Sequence, residues 1–138
     1  MGEFGEGDAP HAIRFRLCQM RYTLTPMNSW TVVFTLEAEQ EFNALPADMQ
    51  ARGLRIIDLL QSKGPHPVRE PYVKPIQGKL WEMRLQGRDG IARALYFAQV
   101  GRRLCVVRVF IKKTRKTPRT EIELALRRIA EIERDEDI

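Results

Sequence analysis

A chain of 138 residues with 43% hydrophobic and 30% charged residues is long enough for one core and short of two, so a single domain is expected. It carries no apolar run of about eighteen residues, and no charged segment followed by an apolar stretch at its start; this speaks against a membrane span or a secretion signal and for a cytoplasmic protein. Two cysteines, Cys18 and Cys105, and two histidines, His11 and His66, stand at no disulfide or metal-ligand spacing, so the expectation is no metal, no cofactor and reduced thiols.

Residues 1–28 show no sustained apolar period and read as an extension, irregular or tag-derived, ahead of a domain spanning 29–134 and an acidic tail at 135–138. Trp30 to Phe34 is β-prone, and Thr35 is placed to cap a helix carrying Leu36, Ala38, Phe42 and Leu45 before Pro46. A second helix is predicted from near Asp48, where Met49, Ile56, Ile57 and Leu60 fall on one face, and it stops by Lys63, Gly64 and Pro65. Residues 64–79, broken by four prolines, read as a long surface connection. Three strand-like runs follow, at 80–86, 91–99 and 104–111, and the short glycine-containing links between them predict an antiparallel meander. Thr117 and Pro118, or Thr120 with Glu123, then open a final helix with Ile122, Ala125, Leu126 and Ile129 along one stripe, more readily core packing than a partner groove. The sum is an α+β domain, an N-terminal strand and a two-helix hairpin packed on an antiparallel sheet with a C-terminal helix.

The net charge of +5 is unevenly placed: Lys74 to Arg119 holds thirteen Lys or Arg against two acids, Glu82 and Asp89, while the rest of the chain is acidic. With Gln86 opposite Ile91 and Gln99 opposite Leu104, alternation sorts the side chains onto two faces. Trp81, Met83, Leu85, Ala92, Ala94, Tyr96, Ala98, Cys105, Val107, Val109 and Ile111 form the expected core face. The other receives Glu82, Arg84, Arg93, Arg108, Phe110 and Lys112, with Leu80, Leu95, Phe97, Leu104 and Val106. Arg84 and Arg93 then stand directly opposite each other, and like charges so placed destabilise a sheet unless something offsets them. An anion does so, as do solvent or neighbouring carboxylates. Because Lys112, Lys113, Arg115 and Lys116 extend the same charge, a phosphodiester is the ligand expected, with Phe110 either stacked on a base or packed in the core.

The segments Lys79 to Arg84 (KLWEMR), Gly90 to Tyr96 (GIARALY) and Val109 to Pro118 (VFIKKTRKTP), followed by Glu121, Ile122 and Ala125, resemble the phage-derived HigB branch of the RelE/ParE toxin superfamily. The likeness runs from about Trp30 to Ile132, and its most specific part is the Phe-x-Lys-Lys-Thr-x-Lys-Thr-Pro segment leading into Glu-Ile-x-x-Ala. One departure is Ala92, where an aromatic residue often precedes the arginine. The resemblance implies a β-α-α-β-β-β-α fold, cleavage of messenger RNA in the ribosomal A site, and neutralisation by a helix-turn-helix antitoxin. The positions it carries over are Arg84, Arg93 and the Lys112/Lys113 pair, with Glu82 as a companion.

Cleavage without a metal uses the RNA's own 2′-hydroxyl as nucleophile, so the protein positions the phosphate, stabilises its extra charge and moves protons. Arg84 and Arg93 are expected to hold the phosphate. Glu82 is the acid placed to take the 2′-hydroxyl proton, a salt bridge to Arg84 being its commoner use, and Lys113 or Lys112 to protonate the leaving oxygen. Lys79, Arg108, Phe110, Lys112, Arg115 and Lys116 are the further RNA contacts expected. Two rivals share the basic face: a ParE-like toxin that binds gyrase, and a basic module that binds nucleic acid without cutting it.

Overall fold

Thr35 decides where the first long strand stops. In the computed structural model, which describes residues 15–17, 30–65, 68, 72–99, 101–112 and 116–136, its hydroxyl accepts the Ala38 N–H at 3.1 Å while its own backbone stays extended. That cap turns strand β2 (Thr31–Thr35) directly into helix α1 (Leu36–Asn43), and Glu37 and Glu39 in the first turn suit the positive end of the helix. Pro46 then opens α2 (Ala47–Lys63), which ends at Gly64 in the left-handed region, φ +81°. A short strand, β1 (Phe15–Leu17), pairs antiparallel with β2, inside the stretch read as an irregular extension.

The connection expected to be irregular over 64–79 contains a strand. β3 (Val73–Gln77) pairs antiparallel with β4 (Leu80–Gly87), with a register shift between Pro75 and Gln77. Proline argues against a central strand, but β3 is the outermost one, where a missing N–H leaves no ladder bond unmade. β5 (Gly90–Gln99) and β6 (Arg103–Lys112) complete a sheet of order β1-β2-β6-β5-β4-β3 among the described residues. The meander is antiparallel as expected, whereas β2 joins it parallel to β6. Helix α3 (Arg119–Glu136) closes the fold and runs on past Arg134 into the stretch read as a tail.

The β4–β5 register is the predicted one, with Gln86 opposite Ile91 and Arg84 opposite Arg93. The β5–β6 register follows prediction only from Ile91 opposite Lys112 to Leu95 opposite Arg108. It then slips by one residue, so that Tyr96 faces Val106 and Gln99 faces Arg103 rather than Leu104. One extra residue in β6 is a β-bulge, and because strand alternation has period two, it exchanges the faces of everything before it. Leu104 and Val106 therefore pack under the α1–α2 hairpin with Val32, Phe34, Phe42, Ile56, Leu60, Met83, Leu85 and Ala94. Cys105 and Val107, expected on that face, lie on the opposite one with Val33, Leu80, Leu95, Phe97 and the α3 residues Ala125, Ile129 and Ile132. Ala98 and Ile111, also expected in the core, are exposed. The hairpin side is closely packed: a Cβ at Gly53 of α2 would lie 2.8 Å from the Phe42 ring and 2.9 Å from Leu85. None of the described helices is long and apolar enough to cross a membrane. Cys18, His11, His66, Lys113 and Arg115 lie outside the described residues.

Candidate functional site

The strand pairings place three rows of side chains across the α3 side of the sheet: Glu82, Leu95 and Arg108; then Arg84, Arg93 and Phe110; then Gln86, Ile91 and Lys112 at the β4–β5 turn. α3 covers the first row and the apolar residues beyond it, and leaves the third. The charged residues of this face fall into two groups.

In the first group every guanidinium meets a carboxylate. Arg93 and Glu82 are both fully buried, with Arg93 Nη1 3.2 Å from Glu82 Oε2 and 3.4 Å from Oε1. Thr117, the residue leading into α3, accepts from Arg93 Nη1 at 3.3 Å and donates its hydroxyl to Glu82 Oε1 in a short hydrogen bond. The offset for the facing arginines is thus a carboxylate from the same sheet. Glu82 pairs with Arg93 rather than Arg84, and with no exposed surface it has no access to a substrate hydroxyl, so its expected role as the base is not carried by this geometry. The same holds for Arg93 as a direct phosphate ligand.

Arg108 is the second such residue. Its Nε and Nη2 bind Glu121 at 2.7 and 3.2 Å, and its Nη1 binds Glu41 at 2.7 Å. The Glu121 hydrogen bonds push its pKa further up, against the opposing effect of burial, so it is held as a structural cation. Glu41 also accepts the Val109 N–H at 2.9 Å, and Arg128 donates to the Val107 carbonyl at 2.6 Å. These are backbone groups of β6 where β2 has already turned into α1, so side chains replace the missing neighbour strand. Phe110 is 8% exposed, packed in the α3 cluster with Arg108 5.7 Å above its ring, and Lys79 pairs with Glu133 of α3 at 2.5 Å. Arg108 and Phe110 are therefore engaged in fold contacts, whereas Lys79, its side chain 53% exposed, is held by a surface ion pair alone.

The second group lies toward the turn. Arg84 is half-buried, its Nε is shut off from solvent without a hydrogen-bond acceptor, and among the described residues it makes no ion pair. Lys112, also half-buried, makes none either, and Lys116 is exposed. With the Arg93 charge matched by Glu82, Arg84 is the cation of this row that has no ion-pair partner among the described residues, and Lys112 stands in the next row across β5.

Sequence reasoning missed Thr117 and Glu41. The signal for Glu41 was available: it lies three residues after Ala38 and four before Leu45, an acid on the buried stripe of α1, which calls for a partner. Thr117 was read only as a possible helix cap, and nothing local marks its reach to Glu82.

A model of the phage-derived Gp49-like proteins matches residues 40–130, more than half of the chain and all of the sheet from β3 to β6. This chain belongs to the Gp49-like family. The Gp49-like chain is also 34% identical, over 90 residues covering 65% of it and 69% of that protein, to the probable endoribonuclease HigB1 in two strains of Mycobacterium tuberculosis. A chain of the archaeal RelE–RelB complex from Pyrococcus horikoshii OT3 aligns with 64% of the Gp49-like chain and 99% of its own length, at 18% identity and a TM-score of 0.47.

Proposed function

We propose that this Gp49-like protein is the toxin of a toxin–antitoxin pair, an endoribonuclease that cuts messenger RNA on translating ribosomes and is silenced by a helix-turn-helix antitoxin. Kinship with HigB1, named a probable endoribonuclease, favours RNA as substrate and strand scission as reaction. The observation that carries the reading is Arg84: a half-buried guanidinium on β4 without an ion-pair partner among the described residues, one row from Lys112 on the far side of β5.

In the reaction, the 2′-oxygen forms a bond to the adjacent phosphorus and the bond from phosphorus to the 5′-oxygen breaks. The 2′-hydroxyl proton leaves to water, and the 5′-oxygen takes one from Lys112, or from Lys113 beyond the described residues. The products are a 2′,3′-cyclic phosphate and a 5′-hydroxyl. Arg84 binds the non-bridging oxygens where charge accumulates, and a fixed donor of this kind is worth about 100- to 1000-fold in rate. Arg93 and Glu82 act behind it: their matched charges hold β4 and β5 in register so that Arg84 stays aimed.

Purified protein incubated with a translated message tests this reading. Fragments ending in a cyclic phosphate are expected, and a single 2′-deoxy nucleotide at the cleaved position should abolish cutting there. Absence of cleavage, or cutting that ignores the 2′-deoxy substitution, would overturn it.

A further inference from the structure

Past the Arg84 row the sheet ends at the β4–β5 turn, and across that turn lies a groove of about 590 Å3 against α2, lined chiefly by Arg52, Arg55, Arg88, Gln86 and Asp48. Its construction begins at Gly87. A Cβ there would stand 2.7 Å from Met49 and 2.9 Å from the Asp48 carboxylate, so only glycine lets α2 come this close. The approach allows Asp48 to accept the Arg88 N–H at 2.6 Å, which fixes the turn and brings the Arg88 side chain alongside those of α2.

Three arginines are thereby gathered around one acid, Asp48, whose charge is felt by Arg88; none of the three forms an ion pair among the described residues, although Arg93, Arg108 and Arg128 each do, and the groove keeps an excess of positive charge. The turn contact accounts for the place of Arg88, but not for two further arginines beside it. Arg52 and Arg55 are one turn apart on α2, where like charges weaken a helix, and the buried face of that helix is made by Met49, Gly53, Ile56, Ile57 and Leu60. The asymmetry implies a ligand that supplies the missing negative charge. Gln86 belongs both to the groove and to the row that contains Lys112, and it follows Arg84 by two residues, about 7 Å along the strand. The groove thus continues the Arg84 site around the end of the sheet.

We propose that this groove is a second phosphate-binding subsite, taking the backbone of single-stranded RNA that flanks the cleaved phosphodiester. This rests on the endoribonuclease reading for the identity of the strand. Arginine forks suit phosphate oxygens, and the groove lacks the apolar anchors at the centre of a protein interface, which favours RNA over an acidic segment of a partner protein.

The test uses 2′-O-methyl RNA of four and twelve nucleotides, which 2′-hydroxyl attack cannot cleave, titrated by anisotropy over a range of KCl concentrations. The intact protein should bind the longer RNA more tightly than the shorter by about tenfold or more. The R52Q/R55Q/R88Q variant should lose that gain, and its salt slope on the longer RNA should fall by about 2, near 0.7 per lost contact. An unchanged length gain and slope in the variant would overturn the subsite, as would equal binding of both lengths by the intact protein. So would a variant that binds RNA normally and loses only an acidic peptide. Because no cleavage is read, an intact protein that shows the length gain but never cuts RNA would sink the nuclease reading and leave the subsite standing.

Discussion

Arg108 and Arg84 stand on one face of one sheet and differ in what surrounds them. Around Arg108, two carboxylates from two helices close on the guanidinium, and one of them, Glu41, also takes the Val109 N–H that a missing strand leaves open. Around Arg84, across from an arginine already matched by Glu82, the described residues offer no carboxylate. The same residue type therefore holds helices to the sheet in one region and remains available to an anion in the other. Charge counted along a strand gives the number of cations; which of them are free depends on acids that arrive from elsewhere in the chain.

Breaking this contrast at its most buried point should have the largest effect. R93A leaves the Glu82 carboxylate without its partner at zero exposure, and removing one member of a buried pair costs about 3–5 kcal/mol. Urea unfolding should show that loss, and E82M/R93M should restore much of it; an R93A protein as stable as the parent would show the pair to be dispensable. E41A comes next, because it strips one acceptor from Arg108, Arg128 and the Val109 N–H, with an expected loss of about 2 kcal/mol in a melt. On the hairpin side, where contacts are apolar, G53A should cost about 1–2 kcal/mol through crowding of Phe42 and Leu85, with no dependence on salt.

The smallest effect is at Asp48. The Arg88 N–H holds its carboxyl below the usual carboxylate range. A depressed folded pKa means the contribution is present above the unfolded value, about 3.9, and is lost as pH falls through the lower folded value. The protection factor of the Arg88 amide, which takes out the intrinsic pH dependence of exchange, should accordingly hold steady above the ordinary carboxylate range and fall below it, and D48N should remove the difference.

Much of this architecture is legible in residue patterns. Alternation along β4 and β5 gave the register that sets Arg84 against Arg93, and Thr35 marked the strand-to-helix junction, because both depend on neighbours close in sequence. The bulge in β6 was not legible: nothing in Cys105 to Arg108 announces an extra residue, and a one-residue slip reversed four apolar assignments. β3 was hidden by Pro75, which only its place at the sheet edge permits. The site was half legible. Its cations were identifiable by type and spacing, but Glu41 and Thr117, which decide how Arg108 and Arg93 are used, come from 67 and 24 residues away.

The contrast between the two arginine environments is tested most directly by measuring RNA cleavage and urea unfolding on the same preparation of R84A. The predicted result is a loss of about 100-fold or more in cleavage with stability unchanged or slightly raised, since the substitution removes a charge-stabilising donor and also a buried nitrogen without an acceptor. A variant that cleaves like the parent, or one that unfolds as R93A is expected to, would contradict the account.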